Sequence, residues 1–158
     1  MTVIREAEDA DGPRIAALVA AVFSEYEGCP FVRAEFPELD APASHYAARG
    51  GVLLVAEAGG EVVGSFAVFR VDGGEVFEIG KVYVARDLRG TGLARRLYDR
   101  ATAVAAGRGC TRLRLWTDTR FHAGHRFYEK LGFRRLPVTR YLADATRAWE
   151  YAYERSLP

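Results

Sequence analysis

The sequence predicts an α/β fold: a mixed, mostly antiparallel β-sheet of about seven strands flanked by about four helices, in the order βααβββαβαββ. Three observations carry that prediction. Residues 52–58, 61–71 and 75–85 are rich in β-formers and broken only by Gly59-Gly60 and Asp72-Gly73-Gly74, the pattern of an antiparallel meander. Residues 89–106 repeat Leu93, Leu97, Ala101 and Val104 at helical spacing, with Arg95, Arg96, Asp99 and Arg100 elsewhere. The alternating segment 112–117 follows, so strand, helix and strand supply the one crossover that makes the sheet mixed.

The remaining elements fall in order around these. Residues 2–7 alternate as a short strand. Asp9 and Asp11 then offer capping carboxylates, and Pro13 suits a first helical turn, opening a helix through Ile15, Leu18, Val19 and Val22 to about Tyr26. Residues 27–39 carry Pro30 and Pro37 and read as an irregular loop, and a second helix over 41–49 is stopped by Gly50 and Gly51. Beyond the crossover, residues 123–131 form a short helix ended by Gly132, and 133–141 and 148–155 are two closing strands.

Composition narrows the function. The 158 residues suit one domain, 1–158, able to bury a core without disulfides or structural metal. Twenty-two basic against 21 acidic side chains leave a net charge of +1, without the basic surplus of a nucleic-acid binder. No stretch has the apolar length of a membrane span, and the N-terminus lacks the apolar run of a signal peptide. Cys29 and Cys110 stand outside any zinc or CxxC spacing, so we expect no metal and a cytoplasmic protein with reduced thiols.

The most informative segment is residues 82–101, VYVARDLRGTGLARRLYDRA. A strand runs into a glycine-rich turn and the turn opens a helix, which is the physical form of an anion site. The first N–H groups of a helix lack intrahelical partners, and the helix dipole places positive charge there. Gly90 and Gly92 allow close approach of a ligand to the backbone, while Arg89, Arg95 and Arg96 add charge around the mouth. The glycines are followed by no Lys-Ser/Thr and lack the GxGxxG spacing, which sets aside nucleoside-triphosphate and dinucleotide loops. A glycine turn before an ordinary helix is the plainer alternative.

Arg89-Gly90-Thr91-Gly92-Leu93-Ala94 resembles the R/Q-x-x-G-x-G/A motif of the GNAT N-acetyltransferases, and the preceding strand ends in Val84 as that family's fourth strand ends in valine. FYEKLGF, residues 127–133, resembles the family's fourth helix and following strand. The resemblance spans essentially the whole chain. It implies a GNAT fold and an acetyl-CoA cosubstrate, with its pyrophosphate on the loop amides and its pantetheine arm paired to Val82, Tyr83 and Val84. It also implies Tyr128 as the acid beside the sulfur. Arg86 stands where the family often has proline. Phe121 and Gly124 replace the family's usual asparagine and alanine, so no asparagine contact to pantetheine carries over.

The implied reaction is acetyl transfer to a primary amine, in a small molecule or a peptide, by direct attack in a ternary complex. An alkylammonium has a pKa of about 10, so the site needs a proton acceptor, donors for developing negative charge and a proton for the departing thiolate. Glu78 is the first candidate base: it shares a predicted strand face with Gly80, Val82 and Val84, and desolvation on an apolar strand would make it a better acceptor. The alternative for Glu78 is an ion pair with Lys81 or an arginine. His122, His125 and His45 lie near the expected cleft, although an exposed or capping role is commoner for histidine. Glu25, Glu27, Glu35, Glu38 and Asp40, against Arg33 alone, would favour a cationic acceptor if they border its pocket. The rival within the fold is a non-catalytic acetyl-CoA sensor or protein-interaction module, and a homodimer stays open.

Overall fold

A computed structural model describes residues 1–158. Its elements are β1 (Val3–Glu6), α1 (Gly12–Phe23), α2 (Pro42–Ala48), β2 (Val52–Ala58), β3 (Glu61–Arg70), β4 (Val76–Val84), α3 (Leu93–Gly107), β5 (Arg112–Asp118), α4 (His122–Lys130), β6 (Arg134–Tyr141) and β7 (Trp149–Ser156), the order that the sequence predicts. All strands lie in one sheet ordered β1-β2-β3-β4-β5-β7-β6. Every pairing is antiparallel except β4–β5, which the α3 crossover makes parallel. Two apolar layers sandwich the sheet. Leu93, Leu97 and Ala101 of α3 and Tyr128 of α4 pack on one face, and Ile15, Val19 and Phe23 of α1 with Tyr46 of α2 pack on the other. Strands β2 and β3 are covered on both faces and are therefore apolar almost throughout. Cys29 and Cys110 lie in opposite layers, so they cannot bridge.

Several expectations need correction. Neither Asp9 nor Asp11 caps α1. Asp9 accepts from the Ser44 N–H (2.8 Å) and hydroxyl (2.5 Å), holding the first turn of α2, while Asp11 accepts from Arg5 and Arg14. The first helix ends at Phe23, and the proline-rich loop contains two short 3-10 turns, Arg33–Glu35 and Pro37–Asp40. Helix α3 starts at Leu93 rather than Arg89, because Gly90 and Gly92 hold left-handed φ values of +78° and +85°. The face predicted for Glu78 holds for Gly80 but not for Val82 and Val84. The β3–β4 register jumps from Ala67↔Gly80 to Ser65↔Tyr83, and Lys81 takes a φ of +51° in the bulge, with its carbonyl accepting from the Ser65 hydroxyl at 2.6 Å. One extra residue reverses the alternation. Val82 and Val84 pack on the α3 layer, whereas Tyr83 joins the α1 layer, the side that Glu78 and Gly80 face.

Candidate active site

Strands β4 and β5 are paired only from Val76↔Arg112 to Ile79↔Leu115. Beyond that point they part, and the splay is a cleft of about 420 Å³. Its walls include β4 from Glu78 to Val84, the end of β5 from Trp116 to Asp118, Tyr128 of α4, and Arg89. On the β5 side the β4 edge from Gly80 to Val84 is left unpaired, as an added strand requires.

At the mouth stands the glycine loop. The N–H groups from Gly90 to Arg95 donate to no backbone carbonyl; the first turn-closing bond is Arg96 N–H to Gly92 O, at 3.1 Å. A Cβ at Gly90 or Gly92 would meet nothing within 4 Å, so the concave side is open. Six unpaired amides at a helix start form a cradle for an anion. The arginines contribute unequally. Arg89 is clamped by Glu25 at 2.5 and 2.7 Å and bonds Val84 O, Arg95 pairs with Asp99, and Arg96 has no ion pair. Arg89 thus fixes the loop to the end of β4 and to the turn after α1. The Leu93 side chain is 3% exposed within the core, so only its amide can serve a ligand. The Thr91 hydroxyl is spent on Leu88 O at 2.6 Å.

Deeper in the cleft, Tyr128 is 6% exposed, and its hydroxyl bonds to no protein group but reaches the cleft wall. Burial, with Tyr83 facing it, holds its phenol well above the usual tyrosine range, so it stays protonated. Burial likewise pushes Tyr83 up to about 12, against the pull of Lys81. Lys81 bonds Glu38 at 2.5 Å on the cleft floor. Glu78 lines the cleft and pairs with Arg114 at 3.1 Å, the arginine partner its alternative role required. Of the five acids in residues 25–40, only Glu35 and Glu38 line the cleft, and both are engaged: Glu35 accepts the Ala145 N–H. None of the three histidines lines it. His125 is buried with Nε2 on Asp118 O at 2.9 Å, His122 is exposed, and His45 packs edge-on to Tyr46.

Sequence reasoning missed the wall contributed by the C-terminal hairpin. Asp118, Asp144 and Glu150 line the cleft with Arg140. Asp118 is held by Arg120 at 2.7 Å, and Arg120 also reaches Gly28 O and Thr146 O, tying the β6–β7 loop across the opening. Strands β6 and β7 read as plain closing strands; only the alternation of Glu150 with Ala152 hinted at a shared face.

The acetyltransferase (GNAT) family model matches residues 19–133. The chain is 32% identical over 139 residues to YjgM, an uncharacterized N-acetyltransferase of Escherichia coli K12, covering 85% of this chain and 83% of that one. An uncharacterized N-acetyltransferase of Mycobacterium tuberculosis H37Rv is 30% identical over 105 residues, covering 66% and 67%. Among solved structures, a GNAT-family acetyltransferase of Staphylococcus aureus Mu50 superposes with a TM-score of 0.84 at 19% identity over the full length of both chains. The PaiA N-acetyltransferase of Thermoplasma acidophilum, solved in complex with coenzyme A, gives 0.80 at 15% identity over 99% of each. At such identities the structures speak for the fold, and the family match speaks for descent. The chain belongs to the GNAT acetyltransferase family.

Proposed function

We propose that the protein is an acetyl-CoA-dependent N-acetyltransferase that acts on a primary amine by direct attack in a ternary complex. The observation that carries this reading is the run of unpaired amides from Gly90 to Arg95, set at the mouth of a splay whose β4 edge is also unpaired. A pyrophosphate fits the amides, and the extended, amide-bearing pantetheine arm fits the edge at Val82, Tyr83 and Val84. The fold shared with a coenzyme A-bound relative supports the same placement. When bound, acetyl-CoA supplies an acetyl thioester, so that the amine lone pair forms the C–N bond as the C–S bond breaks.

The residues do the rest. Gly90, Thr91, Gly92, Leu93 and Ala94 bind through backbone N–H groups, and Arg89 holds their loop in register. Tyr128 presents a protonated hydroxyl to the sulfur that departs. A cleft carboxylate accepts the ammonium proton; Glu78, the first candidate from the sequence, lines the cleft but is paired with Arg114. Neither cysteine can act as an acyl carrier: both are buried, outside the cleft lining, and burial pushes their thiols up. The lining carries six acids (Glu35, Glu38, Glu78, Asp118, Asp144, Glu150) against Lys81, Arg89 and Arg140, a balance that favours a cationic acceptor. The test is calorimetric titration with acetyl-CoA, followed by thiol release on a panel of polyamines, aminoglycosides and peptides. Absence of binding would remove the reading; binding without thiol release would mark a sensor.

A further inference from the structure

We propose that Glu150 of β7 accepts the proton of the acceptor amine, an assignment that rests on the acetyltransferase reading and completes it. The two carboxylates differ in level along the splay. Glu78 is the Cα partner of Arg114, inside the part of the sheet where β4 and β5 are still zipped together. Glu150 is the Cα partner of Asp118, four residues further along β5 and about 13 Å nearer the open end at 3.3 Å per residue. Tyr128 spans the two levels: its ring lies 6.1 Å from that of Tyr153, the partner of Leu115 at the last zipped rung, and it lines the cleft beyond. A Cβ on Gly124, one turn before it in α4, would lie 4.0 Å from Thr117 Oγ1 and 3.7 Å from the Tyr128 ring. The groups at the two ends of a transfer must flank one reacting centre; Glu150 and Tyr128 line the same cleft, and Tyr83 lies in the surroundings of both.

The side chain is also aimed and fixed. Along β7, Tyr151 and Tyr153 turn toward the α3 layer, which leaves Glu150 and Ala152 on the opposite face. The bulge at Lys81 delivers Tyr83 to that same face, and Glu150 adds to the environment that pushes the Tyr83 phenol up. Arg140 Nε donates to Glu150 Oε1 at 2.7 Å, and its guanidinium lies 4.3 Å over the Trp116 ring, so the carboxylate is held from one side. Its Oε2 has no protein partner and is not sealed from the cleft.

The groups facing Glu150 are Arg140 on β6, Asp118 on β5, Asp144 in the β6–β7 loop and Tyr83 on β4. Burial raises its affinity for a proton, Arg140 opposes this, and Asp118 and Asp144 add to it, with the net shift upward. The side chain is 13% exposed. In the transfer, one ammonium N–H bond breaks and its proton passes to Glu150 Oε2; the freed lone pair forms the C–N bond as the C–S bond breaks, the departing thiolate takes the proton of Tyr128, and the second proton lost from the nitrogen restores the Tyr128 hydroxyl.

The experiment uses the full chain, acetyl-CoA and the amine panel, read as thiol release from acid to alkaline pH. Glu150→Gln is expected to bind acetyl-CoA within a few fold of wild type, lose about 10²-fold or more of kcat near neutral pH, and lose the acid limb of the profile. Glu150→Asp should restore part of the rate. Arg140→Ala should move the acid limb to higher pH, because the guanidinium that lowers the pKa of Glu150 is gone. A Glu150→Gln enzyme at wild-type rate, a slowed one whose acid limb is intact, or an Arg140→Ala limb that does not move overturns the assignment. Wild-type protein that binds acetyl-CoA and releases no thiol with any amine overturns the enzymatic reading itself, and this assignment with it.

Discussion

Replacing Gly92 by valine separates backbone strain from ligand binding. Gly92 sits at φ +85° with no atom within 4 Å of the position a Cβ would take, so the substitution meets strain and no clash. Left-handed backbone costs a non-glycine residue roughly 1–2 kcal/mol. In a domain of this size that corresponds to a fall of about 2–8 °C in melting temperature. The loop relieves the strain by rotating φ back to negative values, which turns the amides around Gly92 away from the cradle. One hydrogen bond to a charged group contributes about 1.5–3 kcal/mol, so acetyl-CoA affinity should drop roughly 10- to 150-fold. Gly59→Val is the matched control. It has a φ of +59° and the same open surroundings, but lies in the β2–β3 turn, away from the cleft. It should lose similar stability and keep its affinity. Calorimetry on both folded variants decides: unchanged affinity in Gly92→Val places the pyrophosphate elsewhere, and equal weakening in Gly59→Val would show a global effect.

Tyr128→Phe should keep acetyl-CoA affinity within a few fold and lower turnover by about 10²-fold; untouched turnover would make Tyr128 a packing residue. Glu78→Gln should lower the melting temperature through loss of the Arg114 pair and leave the shape of the pH–rate profile unchanged, whereas a lost acid limb would return the proton to Glu78. Asp11→Asn tests the N-terminal clamp. Hydrogen bonds from Arg5 hold the Asp11 carboxyl at about 2, below its ordinary value of 3.8. A depressed carboxyl stabilises the fold above its unfolded value, and that contribution disappears as pH falls from about 4 to 2. The variant should lose about 2 kcal/mol at neutral pH and match wild type near pH 2, as measured by denaturant unfolding at both pH values.

The fold was legible because its punctuation is local. Gly59-Gly60 and Asp72-Gly73-Gly74 mark the meander, and the stripe through Leu93 and Leu97 marks the crossover helix. The glycine loop was legible for the same reason, since its chemistry resides in its own backbone. Val82 and Val84 were assigned to the face of Glu78 because a bulge is set by pairing with β3, and nothing in the residues from Glu75 to Val84 records the shift at Lys81. Asp118, Asp144 and Glu150 went unnoticed because they are scattered along the chain, and register alone brings Asp118 beside Glu150. Asp9 illustrates the same limit: its position predicts a cap for the next helix, and it serves the one after.

The acidic stretch from Glu25 to Asp40 shows why charge density in a sequence does not by itself mark a cation site. Glu25 is spent on Arg89, Glu35 on the Ala145 N–H, Glu38 on Lys81 and Asp40 on Arg33. The Arg33–Asp40 pair is exposed and adds little. Lys81 and Glu38 are different, with side chains only 14% and 15% exposed. Removing one partner of such a pair leaves a buried charge uncompensated, at a cost of about 3–5 kcal/mol. Glu38 therefore cannot be surrendered to a substrate ammonium without a comparable penalty at Lys81. The first three ties join the stretch in turn to the glycine loop, the β6–β7 loop and the cleft floor. Glu25, Glu35 and Glu38 hold the walls in place, whereas Glu150, from the hairpin opposite, is paired with Arg140 through one oxygen and keeps the other for an amine.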